Sequence, residues 1–222
     1  MGKRDGNTKP EEAKAIRVFI GRQAIFDGLG RVAAWELLFR DGFRNAFNPD
    51  MDGDRATAEL LDRVCRVFGL SALTGGNPAF INFTRPLLLS GVLYQLNPSE
   101  FVAEILEGTE IDGDLLQTLS KYREAGYRFA LDDYAGEDFW KPALAYANFV
   151  KVDFQKVKGS RRGRLAEKLR RAGVTPLAEK VETKRDYRQA AEAGYELFQG
   201  YYLRRPDVLY QDMDSLGIAC AL

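Results

Sequence analysis

The fold is decided by residues 126–200, GYRFALDDYAGEDFWKPALAYANFVKVDFQKVKGSRRGRLAEKLRRAGVTPLAEKVETKRDYRQAAEAGYELFQG, where short apolar runs alternate with helical patterns. The apolar runs predict strands at 128–132, 149–154, 174–178 and 195–199. The helical patterns predict helices at 138–146, 160–172 and 184–193, two of them followed by glycine. Strands that alternate with helices form a parallel sheet, because each helix returns the chain to the start of the next strand.

The same alternation extends toward the N-terminus of the chain. It predicts helices at 54–69, 85–95 and 112–125 and strands at 79–82 and 101–106. Before them, apolar runs at 16–26 and 31–39 flank Asp27-Gly28-Leu29-Gly30, a strong hairpin signal, so the first two strands should be antiparallel. Without a Gly-rich phosphate loop, this α/β pattern favours a TIM-like (β/α)8 barrel over the alternative, an open doubly wound sheet.

The length of 222 residues suits a single domain with a large core. Residues 1–15 are polar and aperiodic and are predicted to be a disordered tail or a linker. The barrel domain is expected at 16–210, with a C-terminal tail at 211–222.

The composition excludes several function classes. The 32 basic residues balance 32 acidic ones, so no overall positive charge attracts a nucleic acid polymer or an anionic membrane. The most apolar stretch, 86–96, is too short to span a bilayer, and no segment resembles a signal peptide. Cys65 and Cys220 lack metal-type spacing, which indicates a reducing, cytoplasmic location. The absence of histidine excludes Ser-His and Cys-His catalysis.

Polar residues interrupt the apolar strands, and each is expected late in its strand. They are Glu36, Asn82, Glu104, Asp132, Lys151, Asp153, Glu179 and Gln199. Barrel enzymes place catalytic groups at the C-terminal ends of their strands, so these side chains should meet in one mouth. Several carboxylates together require cations, and an oxygen-only ligand set favours Mg²⁺ or Mn²⁺, whereas Ca²⁺ is expected to inhibit. Two such metals suit hydrolysis of a phosphodiester.

Seven short motifs resemble those of the EAL domain family, in the same order, from about Arg22 to Pro206. They are ELLFR (36–40), INFT (81–84), EILE (104–107), LDDY (131–134), KVD (151–153), AEKVE (178–182) and QGY (199–201). The ELLFR and AEKVET variants resemble the subgroup found with a modified HD-GYP domain. The resemblance implies hydrolysis of cyclic di-GMP to linear pGpG, with a homodimer and a signalling protein as further partners.

The resemblance also implies a role for each site residue. The metal ligands would be Glu36, Asn82, Glu104, Asp132, Asp133 and Asp153. The catalytic residues would be Lys151, which orients or deprotonates water, Glu179, which ligates a metal directly or through water, and Glu182 and Gln199, which hold water and ligands. The substrate would contact Arg40, Leu38 and Gln23, and Glu107 would anchor the loop after Asp133.

Each of these residues also has a structural interpretation. Glu36 with Arg40, and Lys151 with Asp153, could form salt bridges along one strand face. Asn82 could cap the next helix, and the two aspartates before a helix could reflect an ordinary charge preference. Taken together, these polar residues favour one functional site over a series of unrelated structural roles.

The chain departs from the family pattern mainly at two places. Ala135-Gly136-Glu137 replaces a Gly-x-Gly loop, and Lys180 replaces a glycine beside Glu179, while Leu37 and Leu106 are milder changes. Two alternatives to a phosphodiesterase therefore stay open. The first is a catalytically weak or inactive receptor for cyclic di-GMP or a protein, and the second is a Schiff-base aldolase that uses Lys151.

Overall fold

A computed structural model describes residues 16–44 and 51–213 of the chain. Residues 1–15 and 214–222, with Cys220, lie outside the described residues, so the expectations for those segments stay predictions. Within the described ranges, no helix is both long and apolar enough to cross a membrane.

Strands and helices alternate along the described residues. The strands are β1 Ile16–Asp27, β2 Val32–Arg40, β3 Ala79–Phe83, β4 Phe101–Ile105, β5 Arg128–Tyr134, β6 Phe149–Asp153, β7 Thr175–Glu179, β8 Leu197–Phe198 and β9 Asp207–Met213. The helices are α1 Gly53–Asp62, α2 Leu70–Thr74, α3 Arg85–Leu89, α4 Gly113–Glu124, α5 Lys141–Leu144, α6 Ser160–Arg171 and α7 Lys184–Glu192. A π-helical segment, Arg63–Phe68, continues α1, and short 3-10 segments lie at Val92–Gln95 and Asp138–Trp140.

Strands β1 to β8 form a closed barrel. The order is β2, β3, β4, β5, β6, β7, β8 and β1, and the pairing of β1 with β2 closes the circle. Strands β2 to β8 are parallel, whereas β1 runs antiparallel to both β2 and β8. The predicted TIM-like barrel with an antiparallel first strand pair is confirmed, and the open doubly wound sheet is wrong.

The hairpin between β1 and β2 forms at the predicted DGLG segment. Asp27 Oδ1 accepts hydrogen bonds from the backbone N–H groups of Leu29 and Arg31, both at 2.9 Å. Gly30 has φ 75°, in the left-handed region that glycine adopts without steric cost. The turn therefore depends on its own local residues.

Two predicted helices are interrupted in the structure. The helix predicted at 85–95 ends with α3, because Gly91 adopts φ 84° before the 3-10 segment begins. The helix predicted at 138–146 consists of a 3-10 turn and the short α5, which carries Pro142 in its first turn. The interruptions leave the alternation of strands and helices unchanged.

Strand β9 was not predicted, and it is the main difference from the expected fold. It pairs antiparallel with Ile16–Arg22 of β1, outside the eight-stranded circle. The domain boundary placed after residue 210 falls inside β9, so the sheet extends to Met213. Strand β9 pairs with residues almost 200 positions earlier, and no alternation of strands and helices around it in the sequence predicts it.

The interior of the barrel has an apolar layer, which we name the floor. Its members are Ile25, Ala34, Phe80, Val102, Ala130 and Leu177, with Phe149 and Leu197 packed against them. A second and larger core lies between the strands and the surrounding helices. The floor closes the barrel interior beneath the polar residues described next.

Candidate active site

The candidate site is the layer of inward-facing side chains next to the floor. Because strand side chains alternate between faces, a residue two positions from a floor residue also points into the barrel. This layer contains Gln23, Glu36, Asn82, Glu104, Asp132, Lys151, Glu179 and Gln199. Each barrel strand, or the residue directly after it, supplies one member.

The expected position late in the strand is right for most of this set but wrong for Glu36. Glu36 lies in the middle of β2, opposite Gln23 of β1. The reason is that β1 and β2 continue past the site as a long antiparallel pair, up to the pairing of Phe19 with Arg40. Gln199 in turn follows the two-residue strand β8.

The first carboxylate cluster, Glu36, Glu104 and Asp132, surrounds Lys151. The Lys151 Nζ atom lies 2.9 Å from Asp132 Oδ1, 3.2 Å from Glu104 Oε1 and 3.6 Å from Glu36 Oε1. Glu179 Oε2 is also 3.6 Å away. The Lys151 side chain is only 2% exposed, so its ammonium group is enclosed by the barrel.

Burial and charge act in opposite directions at this cluster. Burial alone would lower the pKa of Lys151, but Asp132, Glu104, Glu36 and Glu179 raise it well above its ordinary value. Burial raises the pKa of Glu104 well above its ordinary value, and Lys151 offsets only part of that effect. Lys151 is therefore a stable ammonium group.

The second carboxylate cluster, Asp133, Asp153 and Glu179, surrounds Lys180. One oxygen from each of these carboxylates lies within 4.8 Å of the others. The Lys180 Nζ atom lies 2.8 Å from Asp133 Oδ1, 2.8 Å from Asp153 Oδ2 and 3.5 Å from Glu179 Oε1. Glu179 thus contacts both lysines and connects the two clusters.

The pKa values at the second cluster reflect the same contacts. Burial alone would raise the pKa of Asp133, but its hydrogen bond with Glu179 and the ammonium groups of Lys180 and Lys156 hold it well below its ordinary value. Burial alone would lower the pKa of Lys180, but Glu179, Asp133 and Asp153 raise it. The cluster therefore contains a negatively charged Asp133 and a positively charged Lys180.

Two residues of the second cluster have unusual backbone conformations. Asp133 has φ 55° and Lys180 has φ 53°, and the described residues contain no other non-glycine residue with positive φ. Such a conformation costs free energy for a residue with a side chain, and a bulky residue rarely adopts it. The two strained residues are also in contact with each other, because the Lys180 ammonium group forms an ion pair with Asp133.

Lys156 extends the second cluster toward the solvent. Its Nζ atom lies 2.9 Å from Glu107 Oε2 and 3.2 Å from Asp133 Oδ2. Glu107 is therefore connected to Asp133 through Lys156, which is not among the predicted site residues. The loop after β5 has a further tie, because Arg161 donates a hydrogen bond to the Ala135 carbonyl oxygen.

A polar cavity of about 350 Å³ opens over both clusters. Gln23, Leu38, Glu182 and Tyr201 line it together with both lysines and with the carboxylates of Glu36, Asp132, Asp133 and Glu179. Gln199, which is buried, donates from Nε2 to Glu36 Oε2 at 2.6 Å. The predicted residues Gln23, Leu38, Glu182 and Gln199 are thus brought to one cavity, and Tyr201 is an addition.

A second, more apolar cavity of about 260 Å³ adjoins the polar one through Leu38, which lines both. Arg40, Asn82 and Leu106 also line this cavity. Arg40 is buried and donates a hydrogen bond from Nη1 to the Phe39 carbonyl oxygen at 2.7 Å. The predicted substrate arginine therefore lies in the adjoining cavity, where its charge interacts with that of Glu36.

The structural alternatives for single residues receive little support. Thr84 caps α3, in place of Asn82. Asp132 and Asp133 both lie within β5, before the chain reaches a helical segment. Lys151 contacts carboxylates from four other strands, so its strand neighbour Asp153 is not its partner.

The donor set fits hard divalent cations. Asn82 Oδ1 is a buried oxygen without a hydrogen-bond partner, and Glu104 Oε1, Asp132 Oδ1 and Glu179 Oε1 are buried oxygens whose contacts are ion pairs with Lys151 or Lys180. Carboxylate and amide oxygens are the protein ligands that Mg²⁺, Mn²⁺ and Ca²⁺ accept. Seven carboxylates, the six of the two clusters and Glu107, contact three lysines, Lys151, Lys180 and Lys156, so carboxylates outnumber ammonium groups. A bound cation would satisfy both the oxygens and the charge.

Comparison with known sequences identifies one family. The EAL domain family matches residues 68–206. The Bacillus subtilis uncharacterized protein YuxH is 36% identical over 199 residues, which cover 87% of this chain and 48% of that protein. The Vibrio cholerae cyclic di-GMP phosphodiesterase CdgJ is 34% identical over 208 residues, or 91% of this chain and 48% of that protein. The chain thus spans about half the length of these relatives.

Two solved structures share the fold. Klebsiella pneumoniae BlrP1, in a manganese and cyclic di-GMP complex, has a TM-score of 0.65 at 21% identity, covering 90% of this chain and 63% of that one. Bacillus subtilis YkuI, in complex with cyclic di-GMP and calcium, has a TM-score of 0.66 at 22% identity, covering 86% of this chain and 55% of that one. At these identities the likeness establishes the barrel alone.

Proposed function

Because the chain belongs to the EAL domain family, we propose that it hydrolyses cyclic di-GMP to linear pGpG and requires Mg²⁺ or Mn²⁺. The observation that carries this proposal is the convergence of carboxylates from separate strands in one layer, together with the buried Asn82 Oδ1 atom, which lacks a hydrogen-bond partner. The similarity to CdgJ, a cyclic di-GMP phosphodiesterase, supports the choice of substrate.

The two clusters would hold the metal ions. Glu36, Asn82, Glu104 and Asp132 supply oxygens at the first, and Asp133, Asp153 and Glu179 supply them at the second. Divalent ions bound there would activate water and neutralise charge on the phosphate. Glu107 would keep the second cluster in position through Lys156, and Gln199 would orient Glu36.

Lys151 would orient the attacking water and offset developing negative charge on the phosphate. An ammonium group with a raised pKa donates a proton and does not accept one, so without bound cations Lys151 would favour the orienting role; deprotonation of the water by Lys151 stays a prediction, because cations bound to the carboxylates would counter the rise in its pKa. The same reasoning argues against the aldolase, because a Schiff base forms from a neutral amine.

The substrate would extend across the two adjoining cavities. Leu38 lies between them, with Gln23 and Glu182 on the polar side and Arg40 on the apolar side. A guanidinium group suits a phosphate oxygen because of its fixed, planar donors. Arg40 would therefore contact the phosphate that is not cleaved, while the clusters act on the other.

A weak or inactive receptor is the second candidate, and Lys180 favours it. Its ammonium group already contacts all three carboxylates of the second cluster. A protein that fills this cluster with a lysine could bind the nucleotide and turn it over slowly. The rate of hydrolysis distinguishes the two candidates.

The test is to incubate the purified protein with cyclic di-GMP and to follow pGpG by chromatography. We expect product with Mg²⁺ or Mn²⁺, none in excess EDTA, and less when Ca²⁺ competes. Full turnover in EDTA would refute metal dependence. Binding of cyclic di-GMP without product, at any Mg²⁺ or Mn²⁺ concentration, would favour the receptor.

We also propose a cytoplasmic location and retain a homodimer and a signalling partner as predictions. Cys65 is a free, exposed thiol, which suits a reducing compartment. Phe139, in the segment after β5, is 46% exposed and offers an apolar contact for a second copy. The subgroup with a modified HD-GYP domain also stays a prediction.

A further inference from the structure

The two carboxylate clusters differ in how firmly each lysine is held. The side chain of Lys151 is 2% exposed and enclosed by the barrel, whereas that of Lys180 is 45% exposed. Lys180 also follows the end of β7, where its stem can leave the cluster through the open cavity. One ammonium group is therefore fixed, and the other can be displaced.

The clusters also differ in the charge that remains. Around Lys151, three carboxylates of the first cluster face one ammonium group, which leaves two negative charges. Around Lys180, three carboxylates face one ammonium group that contacts all of them, and a second ammonium group, that of Lys156, is shared between Asp133 and Glu107. The second cluster therefore has an additional cation at its edge that the first cluster lacks.

We propose that the Lys180 ammonium group holds the cation position of the second cluster, so that one divalent ion binds readily at the first cluster and a second binds only when Lys180 is displaced. This inference rests on the proposed metal-dependent function and specifies its stoichiometry. The lysine would reduce the number of metals bound at a given ion concentration, and it would leave the first cluster intact.

The test is the number and affinity of bound Mn²⁺ ions, measured from the electron paramagnetic resonance signal of free Mn²⁺ without substrate. We expect the unaltered chain to bind one ion, with the second at least about ten times weaker. Removal of a unit charge a few ångströms away corresponds to roughly five-fold or more in affinity, and a divalent ion feels twice that interaction energy. Lys180→Met should therefore tighten the second ion at least about tenfold.

Three further variants separate the charge of Lys180 from its backbone strain and from the charge of its neighbour. Lys180→Gly also removes the charge but relieves the positive φ, so it guards against misfolding and should match Lys180→Met. Lys180→Arg keeps the charge and should bind Mn²⁺ like the unaltered chain. Lys156→Met removes a charge of similar exposure, 42%, that contacts only Asp133 in the cluster and is shared with Glu107, and it should change the second affinity by less than about threefold.

The outcomes separate this inference from the proposed function. Equal affinity for the second ion in the unaltered chain and in Lys180→Met would overturn the inference, even with normal hydrolysis. A change in Lys180→Gly alone would also overturn it, because the cause would then be the backbone. The absence of Mn²⁺ binding in every protein would refute the proposed metal site itself.

Discussion

Replacing Lys151 by methionine tests the electrostatics of the barrel interior. Methionine has a similar length and no charge, so the four carboxylates within 3.6 Å would lose their shared ammonium group. Removing one partner from a buried ion pair costs about 3 to 5 kcal/mol. At about 2 to 4 °C per kcal/mol for a domain of this size, the melting temperature in EDTA should fall by roughly 6 to 20 °C.

Divalent ions should restore much of the lost stability in this variant. An ion present at 100 times its dissociation constant stabilises the folded state by about 2.7 kcal/mol. Without Lys151 the ion would be the main cation of the first cluster, so the rise in melting temperature with Mg²⁺ should exceed that of the unaltered protein. Calorimetry in EDTA and in Mg²⁺ measures both quantities.

Lys156→Met is the matched control, because Lys156 also contacts two carboxylates but lies near the surface. Exposed pairs contribute about 0 to 1 kcal/mol, so its melting temperature should fall by less than about 4 °C. If both variants lost equally little stability in EDTA, the carboxylates around Lys151 would not depend on its charge, and the electrostatic account would be wrong.

Three further predictions concern the site and the fold. Glu36→Ala should abolish pGpG formation and keep the circular dichroism spectrum, and undiminished product would show that the site is misplaced. Asp186→Asn should cost more stability at pH 7 than at pH 3. Burial would raise the pKa of Asp186, but hydrogen bonds with Thr183 and the charge of Arg162 lower it, so its contribution is complete above the ordinary pKa of about 4 and is lost as pH falls through the lowered pKa; a difference between the denaturation curves that is equal at both pH values would contradict this. Gly200→Ala would place a Cβ atom 2.2 Å from the Val181 carbonyl oxygen and should cost about 1 to 3 kcal/mol or more, whereas Gly28→Ala, with nothing within 4 Å, should unfold like the unaltered protein.

Most of the barrel could be predicted because its information is local. Apolar runs such as FVAEI in β4 show which residues form a strand, and one acidic residue within the run shows where the core pattern is broken. Because residues two positions apart on a strand share a face, Glu104 and its counterparts lie in the layer next to the floor. The convergence of the site thus follows from patterns within separate strands.

The remaining features depend on distant contacts or on backbone geometry. Strand β9 forms by pairing with β1, which lies at the other end of the described chain. The sequence shows that a lysine stands at position 180, but the place of its ammonium group depends on a positive φ that favours glycine. The link from Glu107 to Asp133 needs Lys156, whose position is set by the loop after β6.

The floor closes the candidate site on one side. Its apolar side chains are packed against one another across the barrel, so among the described residues the carboxylates meet an apolar layer in that direction. Ions, water and nucleotide would therefore arrive from the side of the two adjoining cavities, and product would leave on that side. A nucleotide bound there would hinder the exchange of any ion beneath it, so ions would load before the substrate and leave after the product.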